Sequence, residues 1–177
     1  MKRLPFLLLA VVLGLSAANA PRVSRGTLAA MEKSLDERIS RLWDDNPYLL
    51  LGQARGVYLD NYGAVFTTEV NLVANPVSLM HAVLSPEEKA RFRQKKLDRV
   101  PMLKKALREA LVSTAASLDT VPPEEQITIV AFVDHFPWED MTGIPVQLTV
   151  QAQKKKLIEA QHAGGAGLEA AIHVTEN

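Results

Sequence analysis

GVYLDNYGAVFTTEVNLV, residues 56–73, reads as a β-hairpin, and the fold class follows from it. From Ala64 onward the apolar positions are Ala64, Phe66, Val70 and Leu72 with Thr68 among them, while Thr67, Glu69 and Asn71 point the other way. A period of two belongs to a half-buried strand, so one face is committed to a core. The turn Asp60-Asn61-Tyr62-Gly63 opens on a side-chain acceptor and closes on a residue free to take positive φ. Two registers compete. A three-residue loop with a glycine bulge pairs Asp60 with Ala64 and puts Tyr58 on the face of Phe66. A four-residue loop pairs Leu59 with Ala64 and Val57 with Phe66, so that both strands bury apolar side chains together. The second register is the expected one, and it leaves Tyr58 opposite Val65 on the other face.

The 177 residues are 47% hydrophobic and 23% charged, enough for one globular domain with a real core. Lys2 and Arg3, an apolar run from Leu4 to Leu15 and small residues ending Ala18-Asn19-Ala20 have the layout of a secretory signal peptide. The run is too short for a transmembrane span. The expected organisation is a signal peptide over 1–20 and one domain over 21–177, with cleavage after Ala18 as the alternative because Pro21 follows Ala20, and an uncut anchor as another. An exported chain works in the periplasm or outside the cell. Without Lys2 and Arg3 the remaining 18 basic residues face 20 acidic ones, a net charge near −2 that draws no nucleic acid. There is no cysteine, which excludes disulfides, a thiol nucleophile and a lipid-modified N-terminal cysteine.

Thr27 to Trp43 sets Leu28, Met31, Leu35 and Leu42 on one helical stripe, and Asp44 to Pro47 stops it. This amphipathic helix must dock, and the second face of the sheet is one candidate. Ser85-Pro86-Glu87-Glu88 is a helix start with an N-cap serine, proline at the first position and glutamate three residues on. The pattern continues to Leu118, and Pro101 predicts a kink or break near Asp98. Beyond it Val100, Leu103, Leu107, Leu111, Thr114 and Leu118 form a packing face. Gln126 to Val133 is apolar on both sides and is placed centrally; Ile144 to Ala152 alternates, with Val146, Leu148 and Val150 inward. Lys154 to His162 is a short helix, and Ile172 to Val174 a small edge strand. The expected fold is therefore α+β. An antiparallel or mixed sheet built from two hairpins, about 54–73 and 126–152, packs against a long kinked helix over 86–118, with an N-terminal amphipathic helix.

Two groups of residues carry chemistry. Asp134, His135, Glu139 and Asp140 surround Pro137 and Trp138 where a strand ends, and carboxylates with an imidazole suit a divalent cation or an acid/base pair. Their spacing matches no established ligand motif; acids capping turns are the plain alternative. Between Lys89 and Arg108 run nine basic residues against the single acid Asp98. Arg91, Arg93, Lys95, Lys96 and Arg99 form its centre, a surface for anionic lipid or an acidic envelope protein, or simply a solvated helix exterior. No G-x-S-x-G, P-loop or G-x-G-x-x-G motif is present, and His81, His135, His162 and His173 are dispersed.

GVYLDNYGAVFTTEVNL together with FPWEDMTGIPVQLTVQA, Phe136 to Ala152, resembles segments of a family of exported bacterial proteins with no assigned activity. The resemblance rests on strands and turns, and it implies export and a shared fold without implying an activity; no functional residue is carried over from it, and no cofactor is expected. The functional expectation is a non-catalytic interaction module of the cell envelope. A carrier of a small apolar ligand or lipid is one alternative, and a metal-assisted hydrolase using the Asp134 to Asp140 loop is the other.

Overall fold

The computed structural model describes residues 22–43, 49–74, 84–164 and 167–177. The signal-peptide reading of 1–20, the helix stop at Asp44 to Pro47 and His81 lie outside the described residues. In chain order the elements are α1 (Arg25–Ser40), β1 (Leu49–Leu50), β2 (Arg55–Leu59), β3 (Gly63–Asn71), α2 (Pro86–Ser117), β4 (Gln126–Val133), β5 (Gln147–Gln153), α3 (Lys154–His162), α4 (Leu168–Ala171) and β6 (His173–Glu176). The fold is α+β, as the alternation of periods predicts.

The strands form one mixed sheet in the order β1-β3-β4-β5-β6, with β2 also on β3 beside β1. β3 and β4 run parallel, joined across α2; every other pairing is antiparallel. The 56–73 hairpin is present, but its register corrects the expected one. Leu59 faces Gly63, Tyr58 faces Ala64 and Gly56 faces Phe66, so the loop is Asp60-Asn61-Tyr62. Asn61 takes the positive φ inside the turn, 65°. Gly63 is the first residue of β3, and a Cβ there would lie 1.9 Å from the Gln126 carbonyl oxygen. Gly56 leaves room for the Phe66 ring, 2.5 Å from where its own Cβ would stand. Tyr58 consequently sits on the helix side, while Val57 and Leu59 point to the other face and are 49% and 46% exposed.

α2 is capped as the letters predict. The Ser85 Oγ accepts from the Glu88 N–H, and the Glu88 carboxylate accepts from the Ser85 N–H at 2.7 Å. The helix continues through Pro101 in one piece, so of the kink or break expected near Asp98 the break does not occur. Tertiary burial outweighs the lost hydrogen bond to Leu97. Val100, Leu103, Leu107 and Leu111 are buried against Phe66, Ile129, Leu148 and Val150. α1 buries Leu28, Leu35 and Ile39 in the same core and contacts α2 and β2, so it lies with the other helices and leaves the second face alone. Leu148 and Val150 point inward as expected, whereas Val146, just before β5, is 44% exposed. Among the described residues no element covers the far side of the sheet.

Candidate functional site

The basic helix segment and the acidic loop, separate in the sequence, meet in space. Lys96 lies four residues after Phe92 and four before Val100 on α2, which places it on the buried stripe. Its ammonium reaches the Glu139 carboxylate at 2.6 Å and donates to the Asp134 carbonyl at 3.0 Å. The other Glu139 oxygen accepts from the Phe136 N–H at 2.8 Å. One turn earlier Arg93 pairs with Asp140 at 3.3 Å and donates to the Thr142 carbonyl. The Thr142 hydroxyl and N–H, helped by the Arg93 charge, hold the Asp140 carboxyl below the ordinary carboxylate range. Trp138 stacks on Phe136 and meets the Phe92 ring edge-on, closing the loop over the helix. Beside it, a surface groove of about 490 Å³ runs between Lys89, Phe92, Arg93 and Trp138.

The remaining residues of the two groups are dispersed. Arg99 is buried, donates to the Leu72 carbonyl and lies 4.9 Å over the Trp43 ring. Arg91 is exposed and Lys95 half-buried. His135 points to solvent, and Asp134 meets Lys96 through its backbone. Among the described residues no three histidine or carboxylate side chains gather as a metal set. What the arrangement does chemically is neutralise itself: acids 139 and 140 hold cations 96 and 93 and fasten the β4–β5 connection to α2.

The backbone partners of a second ionic clamp gave no signal in the spacing. Glu32 on α1, 7% exposed, accepts from the Gly56 N–H at 2.6 Å and from Arg25 at 2.7 Å, while Arg25 also donates to the Gly56 carbonyl. Asp36, one turn on, accepts from the Ala54 N–H at 3.0 Å. These side chains occupy the outer edge of β2 where a further strand would pair. Burial disfavours the Glu32 carboxylate, but Arg25, the Gly56 N–H and Arg55 outweigh it and keep its pKa below the ordinary value. At the far end of β2 the Tyr58 hydroxyl donates to Glu125 at 2.9 Å, and burial together with that carboxylate raises the phenol's pKa.

The far sheet face is the other candidate. Its rows read across the strands as Val57–Val65–Thr128–Gln151–His173 and Arg55–Thr67–Val130–Thr149–Thr175. Phe132, 43% exposed, stands on the next row beside Glu69 and Gln147. Leu51, whose N–H donates to the Glu69 carbonyl, and Tyr62, whose hydroxyl meets Thr128 at 3.1 Å, are exposed at 43% and 40%. Val57, Leu59, Val130 and Phe132 thus place apolar side chains on the β2–β4 half, alongside the exposed charges of Arg55 and Glu69. The β5–β6 half is uncharged and polar. Among the described residues no helix is long and apolar enough to cross a membrane. No family model, no curated protein and no solved structure matches this chain.

Proposed function

We propose that this chain is an exported, non-catalytic interaction module of the cell envelope that makes its contacts through the open face of its sheet. The observation that carries this is the exposure of Val57 and Leu59 side by side on β2, and of Phe132 further along on β4, on one sheet face with no described cover. Large apolar side chains grouped on one rigid surface favour association with a partner. The basic segment supports the reading less, since Lys96 and Arg99 are buried and Arg93 is engaged by Asp140. The hydrolase reading finds Glu139 tied to Lys96. The carrier reading finds a core filled by Phe66, Ile129, Leu107 and Leu148, all within 1% exposure.

A photo-crosslinking residue tests the proposal in intact cells of the source organism. At position 57 or 132 it forms a discrete adduct with an envelope component, and at Glu87, exposed on α2, it does not. Intact mass of the recovered protein shows loss of the first 18 or 20 residues. Equal labelling at all three positions, no labelling at 57 and 132, or an uncut cytoplasmic chain overturns the reading.

A further inference from the structure

Four alternate residues of β5, Gln147, Thr149, Gln151 and Gln153, point out of the open face, and none carries a charge. Thr175 on β6 flanks Thr149, whereas Thr128 on β4 is 4% exposed with its hydroxyl against that of Tyr62, so β5 and β6 present the amides and hydroxyls of the stripe. Solvent-facing strands ordinarily carry lysine and glutamate, which keep edges and faces soluble by charge. Here solvation rests on neutral groups that both donate and accept hydrogen bonds. A carboxylate only accepts and an ammonium only donates, whereas an amide or hydroxyl does both.

We propose that this stripe binds an uncharged, hydroxyl-rich glycan, laid along β5. The inference rests on the reading of the open face as the contact surface and names the chemistry of what it meets. Three features support it. The side chains are half-buried and already ordered, with the Gln147 amide donating to the Thr149 hydroxyl at 3.0 Å and the Gln153 amide to the Glu124 carbonyl at 3.0 Å. Ordered amides lose little conformational freedom on binding. At one end a groove of about 380 Å³ is lined by Gln126, Gln151, Gln153 and His173, with Lys156 as its single cation. Two exposed rings stand on the β4 side, Phe132 next to Gln147 and Tyr62 over Thr128, where the apolar C–H face of a sugar can rest against them. The stripe is about 20 Å long at strand rise, room for an oligosaccharide rather than a single sugar.

Affinity electrophoresis of the folded protein through gels carrying hydroxyethylcellulose, laminarin, dextran, glucomannan or arabinoxylan tests the proposal. At least one of these polymers retards the protein severalfold. The Gln151→Ala/Gln153→Ala variant migrates at the unretarded rate with an unchanged melting temperature, and Phe132→Ala weakens retardation. Free migration in all five gels, or undiminished retardation of the double variant, overturns it. If either occurs while crosslinking from positions 57 and 132 persists, the open face stands as a contact surface and the glycan assignment alone is lost. Should the double variant lose its melting transition, Thr149→Val and Gln147→Leu apply the same criterion.

Discussion

Lys96 and Glu139 meet at 2.6 Å with side chains 0% and 3% exposed, joining the middle of α2 to the β4–β5 connection 43 residues away in sequence. Both charges are further satisfied, the ammonium by the Asp134 carbonyl and the carboxylate by the Phe136 N–H. A buried pair of this kind adds little net stability compared with apolar residues of the same shape, because desolvation offsets the attraction. Its effect is on geometry. Breaking it strands a charge in the core, so the loop has one seat on the helix.

Removing one partner is therefore costly and removing both is less so. Lys96→Met and Glu139→Gln singly lower unfolding free energy, the first by about 3–5 kcal/mol because it leaves a buried carboxylate unpaired. The double variant falls short of the sum of the singles by roughly 0.5–3 kcal/mol. Urea unfolding of the four proteins measures this; strict additivity would show the pair is not coupled.

The Glu32 clamp makes stability fall in acid. Its carboxyl has a depressed pKa in the folded chain, so its contribution is present above the unfolded value of about 4.3 and is lost as pH drops through the lower folded value. Glu32→Gln should flatten the stability profile in that acid window while lowering stability at neutral pH. Thermal melts across the acid range report it, and an unchanged slope in the variant removes Glu32 from the account.

Gly63 admits no side chain. Its φ is +129° and a Cβ would meet the Gln126 carbonyl at 1.9 Å, so Gly63→Ala strains the backbone by roughly 1–3 kcal/mol and also pushes β3 off β4. Chemical denaturation reads the loss. Gly164→Ala, with nothing within 4 Å of the added Cβ, carries strain at φ +70° alone and loses less.

With Glu139 and Asp140 engaged by Lys96 and Arg93, added Zn²⁺, Mn²⁺ or Ca²⁺ leaves the melting temperature unchanged. A rise with any of them that Asp134→Ala abolishes would establish the loop as a metal site after all.

Much of this layout is legible in the letters. The strand at 63–71, the capping box at Ser85 and the helix over Lys154 to His162 appear where short-range pattern puts them, because each is dictated by neighbours within four residues. The hairpin register escaped. Pairing Val57 with Phe66 looks better when only the two strands are weighed, but β4 packs against Gly63 and the Phe66 ring takes the space above Gly56. Lys96 had a readable signal, its place on the Phe92–Val100 stripe, though a lysine inside a basic run reads first as solvated. Glu32 lies likewise on the Leu28–Leu35 stripe and pairs with Arg25 seven residues back, but the backbone groups that it and Asp36 hold are 18 to 24 residues away and left no signal.

The amino-acid order alone determined the period of each segment, the caps, the absence of thiol chemistry and hence the α+β class, all of which are local or compositional properties. Tertiary structure alone decided which face of each strand is inside, that α1 joins the helical layer, that cations 93 and 96 and acids 139 and 140 cancel one another, and that apolar and amide side chains share the far face of the sheet. Those outcomes depend on distances between groups far apart along the chain, and burial energy, summed over the whole molecule, selects among them.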